Sequence, residues 1–389
     1  MVAMTMTAAA PAGRRPRLLS GPLMAVFLAD FGALTGFYLL LPVVPMYAST
    51  AGGRAGAGLC TAVLMISTVA AEFALPRLVA RYGYRPVLTA GLVLIGAPAL
   101  ALPVSASLPL VLAVCLLRGL GLAVNFVVCG ALSAMLVPAE RRGEGLGVFG
   151  VVATVPAVIG MPLGVWLAGE VGYAPVFGLA AITALSGLAV IRGLPGRMPS
   201  PEAPLRMAAG LRTPALLRPS LAFAATATAA GVIATFLPAA MPAGPSVALA
   251  LLAHTVATTV SRWWAGRFSD RHGATRLLAP SVFVTAAGML TLFLVAHPVA
   301  AFTALVAVGA GFGVAQNASM TMMLDRVATS GYGTVSALWS VAYDTGYGLG
   351  AATIGLLAAQ TGYPVAFAVN GLVILVVAVV GSMVQRKTR

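Results

Sequence analysis

The sequence predicts an all-α integral membrane protein, in which twelve transmembrane helices form two pseudo-symmetric six-helix bundles (a 6+6 repeat). Three observations support this fold class. Hydrophobic residues make up 60% of the chain and charged residues 8%, whereas about 25% charged residues is usual in a soluble domain. Long apolar runs recur from one end of the chain to the other, and two motifs are repeated at one constant offset.

The repeat is visible in two pairs of segments. GRFSDRHG at 266–273 matches PRLVARYG at 76–83, and GYPVAF at 362–367 matches GYAPVF at 172–177; both pairs are 190 positions apart (266 − 76 and 362 − 172). An offset close to half of the 389 residues indicates an internal duplication.

The apolar runs are each long enough to cross about 30 Å of hydrocarbon. They are predicted at 22–46, 57–80, 87–104, 109–136, 146–168, 174–191, 219–241, 245–266, 277–297, 299–324, 333–358 and 362–385. The predicted domains are a tail (1–21), a six-helix bundle (22–191), a Pro- and Arg-rich linker (192–218), a second six-helix bundle (219–385) and a short tail (386–389).

The basic residues predict the orientation. Of 23 Lys and Arg residues, 21 fall on or near one side of the predicted membrane, and the two exceptions are Arg54 and Arg118. The positive-inside rule therefore predicts a plasma (inner) membrane protein with both termini cytoplasmic. This asymmetry accounts for the net charge of +14, and no basic stripe with interleaved aromatics suggests a nucleic-acid partner.

Neither a metal site nor a cofactor is expected. Cys60, Cys115 and Cys129 lie inside apolar runs without metal-ligand spacing. No Gly-Lys-Ser/Thr phosphate loop indicates use of ATP. An integral-membrane lipid-modifying enzyme is a distant alternative, but it would need a cluster of catalytic side chains. The dense charges at 140–144 have the pattern of a hairpin instead, so we do not expect an enzyme.

Twelve spans, a basic linker and a G-x-x-x-D-R-x-G motif after the eighth span resemble the major facilitator superfamily, and in particular its twelve-helix drug:proton antiporters. The resemblance implies a conformational latch on the cytoplasmic side, made in one transport state and broken in the other. The positions that match the motif are Gly266, Asp270, Arg271 and Gly273 in the second copy, and Arg81 and Gly83 in the first. The first copy has Pro76 and Ala80 in place of the glycine and the aspartate.

The fifth span is similar to a motif of those antiporters. Gly160, Pro162 and Gly164 belong to a Gly/Pro-rich run in which Met161 stands at the position of the motif's proline. Small residues would let this helix press against a helix of the other half. Ordinary close packing between helices is the alternative.

Asp30, Glu72, Arg118 and Asp344 lie well inside apolar runs, where a charge costs at least about 2.5–3.5 kcal/mol. From the predicted helix starts, Asp30 lies about 12 Å from one face and Arg118 about 13 Å from the other. In a hydrocarbon core about 30 Å thick, their depths therefore differ by only about 5 Å. We therefore predict an Asp30–Arg118 proton-coupling pair with Asp30 as proton carrier. A static ion pair is the alternative. Their offset-related positions are Ser220 and Val308, so this chemistry would belong to the first half.

Other polar residues inside the spans are candidates for the substrate cavity, or alternatively for hydrogen bonds between helices. They are Asn125, His254, Gln316, Asn317, Tyr343 and Asp344. Glu72 is expected to be structural, snorkelling or reaching Arg77 or Arg81.

These features predict a secondary active transporter that works by alternating access. The favoured activity is proton-coupled efflux of a hydrophobic or cationic small molecule, a drug or secondary metabolite, with the proton gradient as energy source. A sugar or metabolite carrier of the same fold is the alternative. A sugar carrier would be expected to have more polar groups in its cavity helices, whereas the seventh span offers only hydroxyls such as Thr226, Thr228 and Thr235. The expected partners are membrane lipids, the substrate and protons, and the expected state is a monomer.

Overall fold

The computed structural model describes residues 20–137, 142–194, 213–242, 244–327 and 331–387, and these residues form helices without strands. The predicted amino-terminal tail and most of the predicted linker lie outside them. The helices are α1 Gly21–Leu40, α2 Val43–Tyr82, α3 Tyr84–Gly96, α4 Leu108–Leu136, α5 Arg142–Val171, α6 Tyr173–Ser186, α7 Pro214–Ala240, α8 Pro245–His272, α9 Thr275–Thr291, α10 Pro298–Leu324, α11 Tyr332–Thr361 and α12 Tyr363–Lys387. Short 3₁₀ segments extend α3, α6 and α9.

The first two predicted spans meet at Gly53, inside α2. Gly53 has φ 60° and ψ −158°, which is not helical, so the chain reverses there. The first span therefore comprises α1 and the beginning of α2, and the second runs from Arg54 to Tyr82. Both are longer than their predicted bounds, because small and polar residues near Gly53 hide the helix ends in the hydropathy pattern.

Four glycines show the duplication in the backbone. Gly83 and Gly273 end α2 and α8 with φ of 84° and 85°, and Gly172 and Gly362 end α5 and α11 with φ of 81° and 83°. Each pair is separated by the offset of the sequence repeat. Residues with a Cβ rarely adopt such φ values, which explains why glycine occupies all four positions.

The repeated motif lies on a helix, which corrects the expectation that it follows the eighth span. GRFSDRH forms the last two turns of α8, and only Gly273 belongs to the turn. Nothing between Gly266 and Gly273 breaks a helix, and Arg271 and His272 in the last turn suit the negative end of the helix dipole.

The two halves meet along a seam between α2 and α11. A Cβ added to Gly58 would lie 2.3 Å from the carbonyl oxygen of Ala351, and one added to Gly348 would lie 3.0 Å from Cβ of Met65. Glycine thus lets the two helix backbones touch. We call the ends of the helices that carry Arg81, Arg85, Arg192, Arg267, Arg271 and Arg276 the arginine-rich face, and the ends near Arg54 the arginine-poor face.

Two long helices are more polar than their neighbours. Nine segments of the described residues are long and apolar enough to cross a membrane, the first of them running from Gly21 to Tyr82 through both initial spans. Neither α8 nor α11 is among these segments. A helix that borders an internal polar space does not need apolar residues all around, so polar groups on α8 and α11 are candidates for the transport site.

Candidate functional site

Asp30 lies in a buried polar cluster between α1 and α4. Nδ2 of Asn125 donates a hydrogen bond of 2.7 Å to Oδ1 of Asp30, and Sγ of Cys129 lies 3.5 Å from Oδ1 of Asn125. The Asp30 side chain is 1% exposed, and its Oδ2 is buried without a hydrogen-bond partner. The structure thus brings together two of the predicted site residues, Asp30 and Asn125.

Asp30 and Arg118 do not contact each other in this structure, so the predicted direct pair is not formed. Nε and Nη2 of Arg118 donate hydrogen bonds of 3.4 Å to the carbonyl oxygens of Ile95 and Phe37, and Nη1 has no partner. Arg118 lies seven residues, about 10 Å along α4, from Asn125, which contacts Asp30. The antiparallel register of α1 and α4 therefore places Arg118 two turns away, beside Phe37. Depths estimated from the predicted helix ends missed this shift.

Arg262 of α8 lies between the two halves, near the end of the predicted span 245–266, and the sequence did not single it out as a site residue. It precedes the end of α8 at His272 by ten residues, or about 15 Å. Arg262 is an exposed residue, and it is close enough to Tyr38 of α1 and Tyr343 of α11 to interact electrostatically with both. The signal in the sequence was the absence of a helix breaker before Gly273, which keeps Arg262 in the middle of a long helix.

Four aromatic rings form a wall in the second half. The ring centroid of Phe223 lies 4.5 Å from that of Trp339, 5.9 Å from that of Tyr343 and 6.0 Å from that of Phe312, all with nearly parallel planes. Phe223 and Phe312 are the buried rings of this wall, whereas Trp339 and Tyr343 are half-buried at its surface. Tyr343, a predicted cavity residue, thus joins the aromatic wall to Arg262.

Asp344 and Glu72 are acidic residues on opposite sides of the seam between the halves. Asp344 is buried in α11 and interacts electrostatically with Glu72 of α2. Oε2 of Glu72 is buried without a hydrogen-bond partner, so the contacts expected with Arg77 or Arg81 are not formed. The predicted role of Asp344 in the cavity stays a prediction.

His254 and Asn317 connect α8 to α10. Nδ1 of His254 lies 3.2 Å from the carbonyl oxygen of Leu305, and Oδ1 of Asn317 accepts a hydrogen bond of 3.4 Å from Ser269. Both contacts are hydrogen bonds between helices, which the sequence left open as the alternative to a role in the cavity. Gln316 is half-buried on α10, and its predicted role in the cavity stays a prediction.

The two glycines of the helix-5 motif pack against α1 of their own half, while α5 as a whole also packs against α8 of the other half, as expected. A Cβ added to Gly164 would lie 2.1 Å from the carbonyl oxygen of Leu39, and one added to Gly160 would lie 3.0 Å from Cβ of Tyr38. Both contacts are with α1. Pro162 lies between the two glycines inside α5. Close packing with a neighbouring helix therefore accounts for the two glycines.

The charged residues of the latch motif face outward in this structure. Asp270 and Arg271 are exposed at the end of α8. Within the described ranges, neither makes a hydrogen bond or ion pair with the first half, where Arg81 stacks on neighbouring Tyr82 and Gly83 ends α2. Gly266 packs near Asn317, whose Nδ2 would lie 3.4 Å from an added Cβ. The predicted role as a latch stays a prediction.

Comparison with known families and structures agrees with this architecture. The family model described as Major Facilitator Superfamily matches residues 26–346 and, in a second match, residues 220–389. The chain belongs to the Major Facilitator Superfamily. Membership makes this protein a multi-pass membrane transporter of the secondary type and not an enzyme. The second match starts close to the beginning of the repeated half, as expected for a duplicated superfamily member.

Three solved structures show the same fold. A peptide transporter POT in complex with sulfate superposes with a TM-score of 0.77 at 15% identity, covering 94% of both chains. A POT family transporter in complex with a thioalcohol-conjugated peptide gives a TM-score of 0.76 at 12% identity, covering 94% of this chain and 96% of the other. A bacterial homolog of the human lysosomal transporter Spinster, in an inward-facing and occupied conformation, gives 0.77 at 15% identity with the same coverage. At these identities the likeness concerns the superfamily fold alone.

Proposed function

We propose that this superfamily member is a proton-coupled exporter of hydrophobic small molecules that works by alternating access. The observation that carries the proposal is the environment of Asp30, a buried carboxyl group in the middle of α1 with one oxygen hydrogen-bonded to Asn125 and the other without a partner. In a secondary transporter, such a group can take up a proton in one conformation and release it in another.

The free energy of burial explains how Asp30 would carry the proton. A charged carboxylate deep in a membrane protein costs at least about 2.5–3.5 kcal/mol, and an oxygen without a partner cannot recover that cost. In the closed environment seen here, the protonated acid avoids the cost. Opening of the first half to water would stabilise the carboxylate and release the proton. Arg118, two turns away, does not compensate the charge by direct contact.

The hydrophobic character of the substrate is supported by the aromatic wall and by the hydroxyls of α7. Thr226 donates to the carbonyl oxygen of Phe223, and Thr228 to that of Ala225. Thr235 shares a hydrogen bond of 2.9 Å with Thr61. These hydroxyls serve helix packing, so they do not offer a sugar the polar surface that it would need. Trp339 and Tyr343 instead present apolar ring area.

Alternating access is supported by unequal contacts at the two faces. Toward the arginine-poor face the halves share close packing at Gly58 and a buried hydrogen bond between Thr61 and Thr235. At the arginine-rich face, Asp270 and Arg271 are exposed. We assign this arrangement to the state that opens toward the arginine-rich face, in which the latch is broken. Closure of the latch would accompany opening of the opposite face.

Substrate-dependent proton movement in inverted vesicles tests the proposal. Vesicles with an imposed proton gradient would be screened with lipophilic cations, lipophilic acids, neutral antibiotics and sugars, and lumenal pH followed by a fluorescent dye. Hydrophobic compounds should release lumenal protons, and Asp30→Asn should abolish the release. Asp325→Asn, an exposed acid at the end of α10, is the matched control. Release that persists in Asp30→Asn, or transport that survives a collapsed gradient, would contradict the proposal.

A further inference from the structure

We infer that Arg262 forms an anion subsite between the two halves, and that the substrate is an aromatic or similarly planar apolar molecule with an acidic group such as a carboxylate. The inference rests on the proposed function, whose substrate class it narrows. Arg262 would bind the carboxylate, and the wall of Trp339 and Tyr343 would bind the ring.

The guanidinium of Arg262 is free to bind a ligand. Arg262 is an exposed residue, and Tyr38 of one half and Tyr343 of the other are close enough to interact with it electrostatically. Within the described part of the chain, its nitrogens make no hydrogen bond or ion pair. Arginine keeps its charge and presents five donors in a planar fork that fits a carboxylate in a bidentate manner. A structural arginine in this place would be expected to use at least some of these donors.

The buried charged groups of the two halves do not cancel the charge of Arg262. Asp30 is 1% exposed and Asp344 is 3% exposed. Glu72 faces Asp344 at the seam between α2 and α11. Arg118 is fully buried between α1, α3 and α4. Of these groups Arg262 is the exposed one, so a ligand that binds there meets a positive charge.

The aromatic wall lies within reach of the same subsite. Tyr343 interacts with Arg262 and stacks with Phe223, and Trp339 lies 4.5 Å from Phe223 between ring centroids. Trp339 and Tyr343 are half-buried, which leaves part of each ring available. A planar apolar group can stack on such rings, and each good aromatic pair contributes about 0.5–1.5 kcal/mol beyond area burial. The acidic group and the ring of one ligand would thus be bound by adjacent residues.

The experiment compares three ligands of nearly the same shape. Binding of 2-naphthoate, neutral 2-naphthamide and 2-naphthylmethylammonium to the purified full-length protein would be measured by isothermal titration calorimetry. Wild type should bind 2-naphthoate about tenfold more tightly than 2-naphthamide, the equivalent of one charge-assisted contact. Arg262→Gln should remove this preference and leave the affinity for 2-naphthamide within about twofold. Arg276→Gln, an exposed arginine of α9, should keep the preference.

Three results would overturn the inference. They are tighter binding of 2-naphthylmethylammonium than of 2-naphthoate, an unchanged preference in Arg262→Gln, and the absence of millimolar binding by all three ligands. If Arg262→Gln does not fold, Arg262→Lys serves instead, because it keeps the charge but loses the bidentate fork. It should weaken 2-naphthoate binding at least about threefold, and wild-type affinity would count against the subsite. Binding is measured without a gradient, so a negative result here is distinct from a failure of proton coupling in vesicles.

Discussion

Arg54 of α2 donates a hydrogen bond of 2.9 Å from Nη1 to the carbonyl oxygen of Ala358 in α11, and its guanidinium lies 4.6 Å from the ring centroid of Tyr363. The contact joins the two halves at the arginine-poor face, beside the Gly58–Ala351 approach. It explains a feature of the sequence, the one basic residue predicted on the side opposite the other arginines. Arg54 closes that face in the observed state.

Arg54→Gln is expected to shift the protein toward states open at the arginine-poor face, because it removes a charge-assisted hydrogen bond and a cation–π contact together worth about 1–3 kcal/mol. The buried thiol of Cys60, close to Thr61 on α2, reports this opening. In a Cys115→Ala/Cys129→Ala background it is the single cysteine of the chain.

Maleimide labelling of Cys60 in that background should be several-fold faster with Arg54→Gln than without it. Arg276→Gln, a change of the same type at the other face, should leave the labelling rate unaltered. An equal rate in the Arg54 variant would show that the contact does not hold the seam closed.

Gly58→Ala is expected to destabilise the closed seam. The added methyl group would lie 2.3 Å from a backbone oxygen of Ala351, which cannot rotate away, so the two helices must separate. Overpacking of this kind costs about 1–3 kcal/mol. Gly130→Ala on α4 is the matched control, since nothing lies within 4 Å of its added Cβ. Melting temperatures in detergent should fall for Gly58→Ala alone. Equal melting temperatures for the two variants would contradict the close approach.

Gly83→Ala and Gly273→Ala should lower stability by similar amounts. Both glycines end a helix with φ near 85°, where a Cβ is strained by about 1–3 kcal/mol. Gly178→Ala, at a helical glycine with open space around it, provides the reference. Thermal unfolding of the three variants checks the equivalence of the two copies. A harmless substitution at either turn would argue against the backbone repeat at that position.

Asp270→Asn and Asp30→Asn are expected to separate gating from proton coupling. Asp270 belongs to the predicted latch and is exposed on the last turn of α8. Its replacement should therefore slow transport while the ratio of protons to substrate stays constant. Replacement of buried Asp30 should abolish proton movement even where substrate binding persists. Parallel measurement of substrate flux and lumenal pH distinguishes them. A changed ratio in Asp270→Asn would place proton chemistry in the second half as well.

Much of the fold is determined locally, which is why the sequence predicts it. Apolar runs of sufficient length need a membrane around them, and a glycine at a positive φ is required wherever a helix ends in this type of turn. Gly83 and Gly273 could therefore be identified by their spacing alone, and so could the family, through the motif around Asp270. None of these features depends on which helices are neighbours.

The site depended on neighbours, and here the predictions from sequence were partly wrong. The depth of a residue along its own helix does not determine how two helices are aligned. Asp30 therefore could not be paired correctly from sequence, and it contacts Asn125 and not Arg118. Small residues predict a close approach but not the partner, so Gly164 packs on Leu39 of its own half. Arg262 lies near the end of the predicted span 245–266, whereas α8 continues to His272 and places Arg262 well inside the helix. The sequence by itself determined the helices, their repeat and their ends, because these follow from local sterics and hydrophobicity. Only the tertiary structure decided which buried charges meet, because contacts between helices depend on rotation and register, which no single segment encodes.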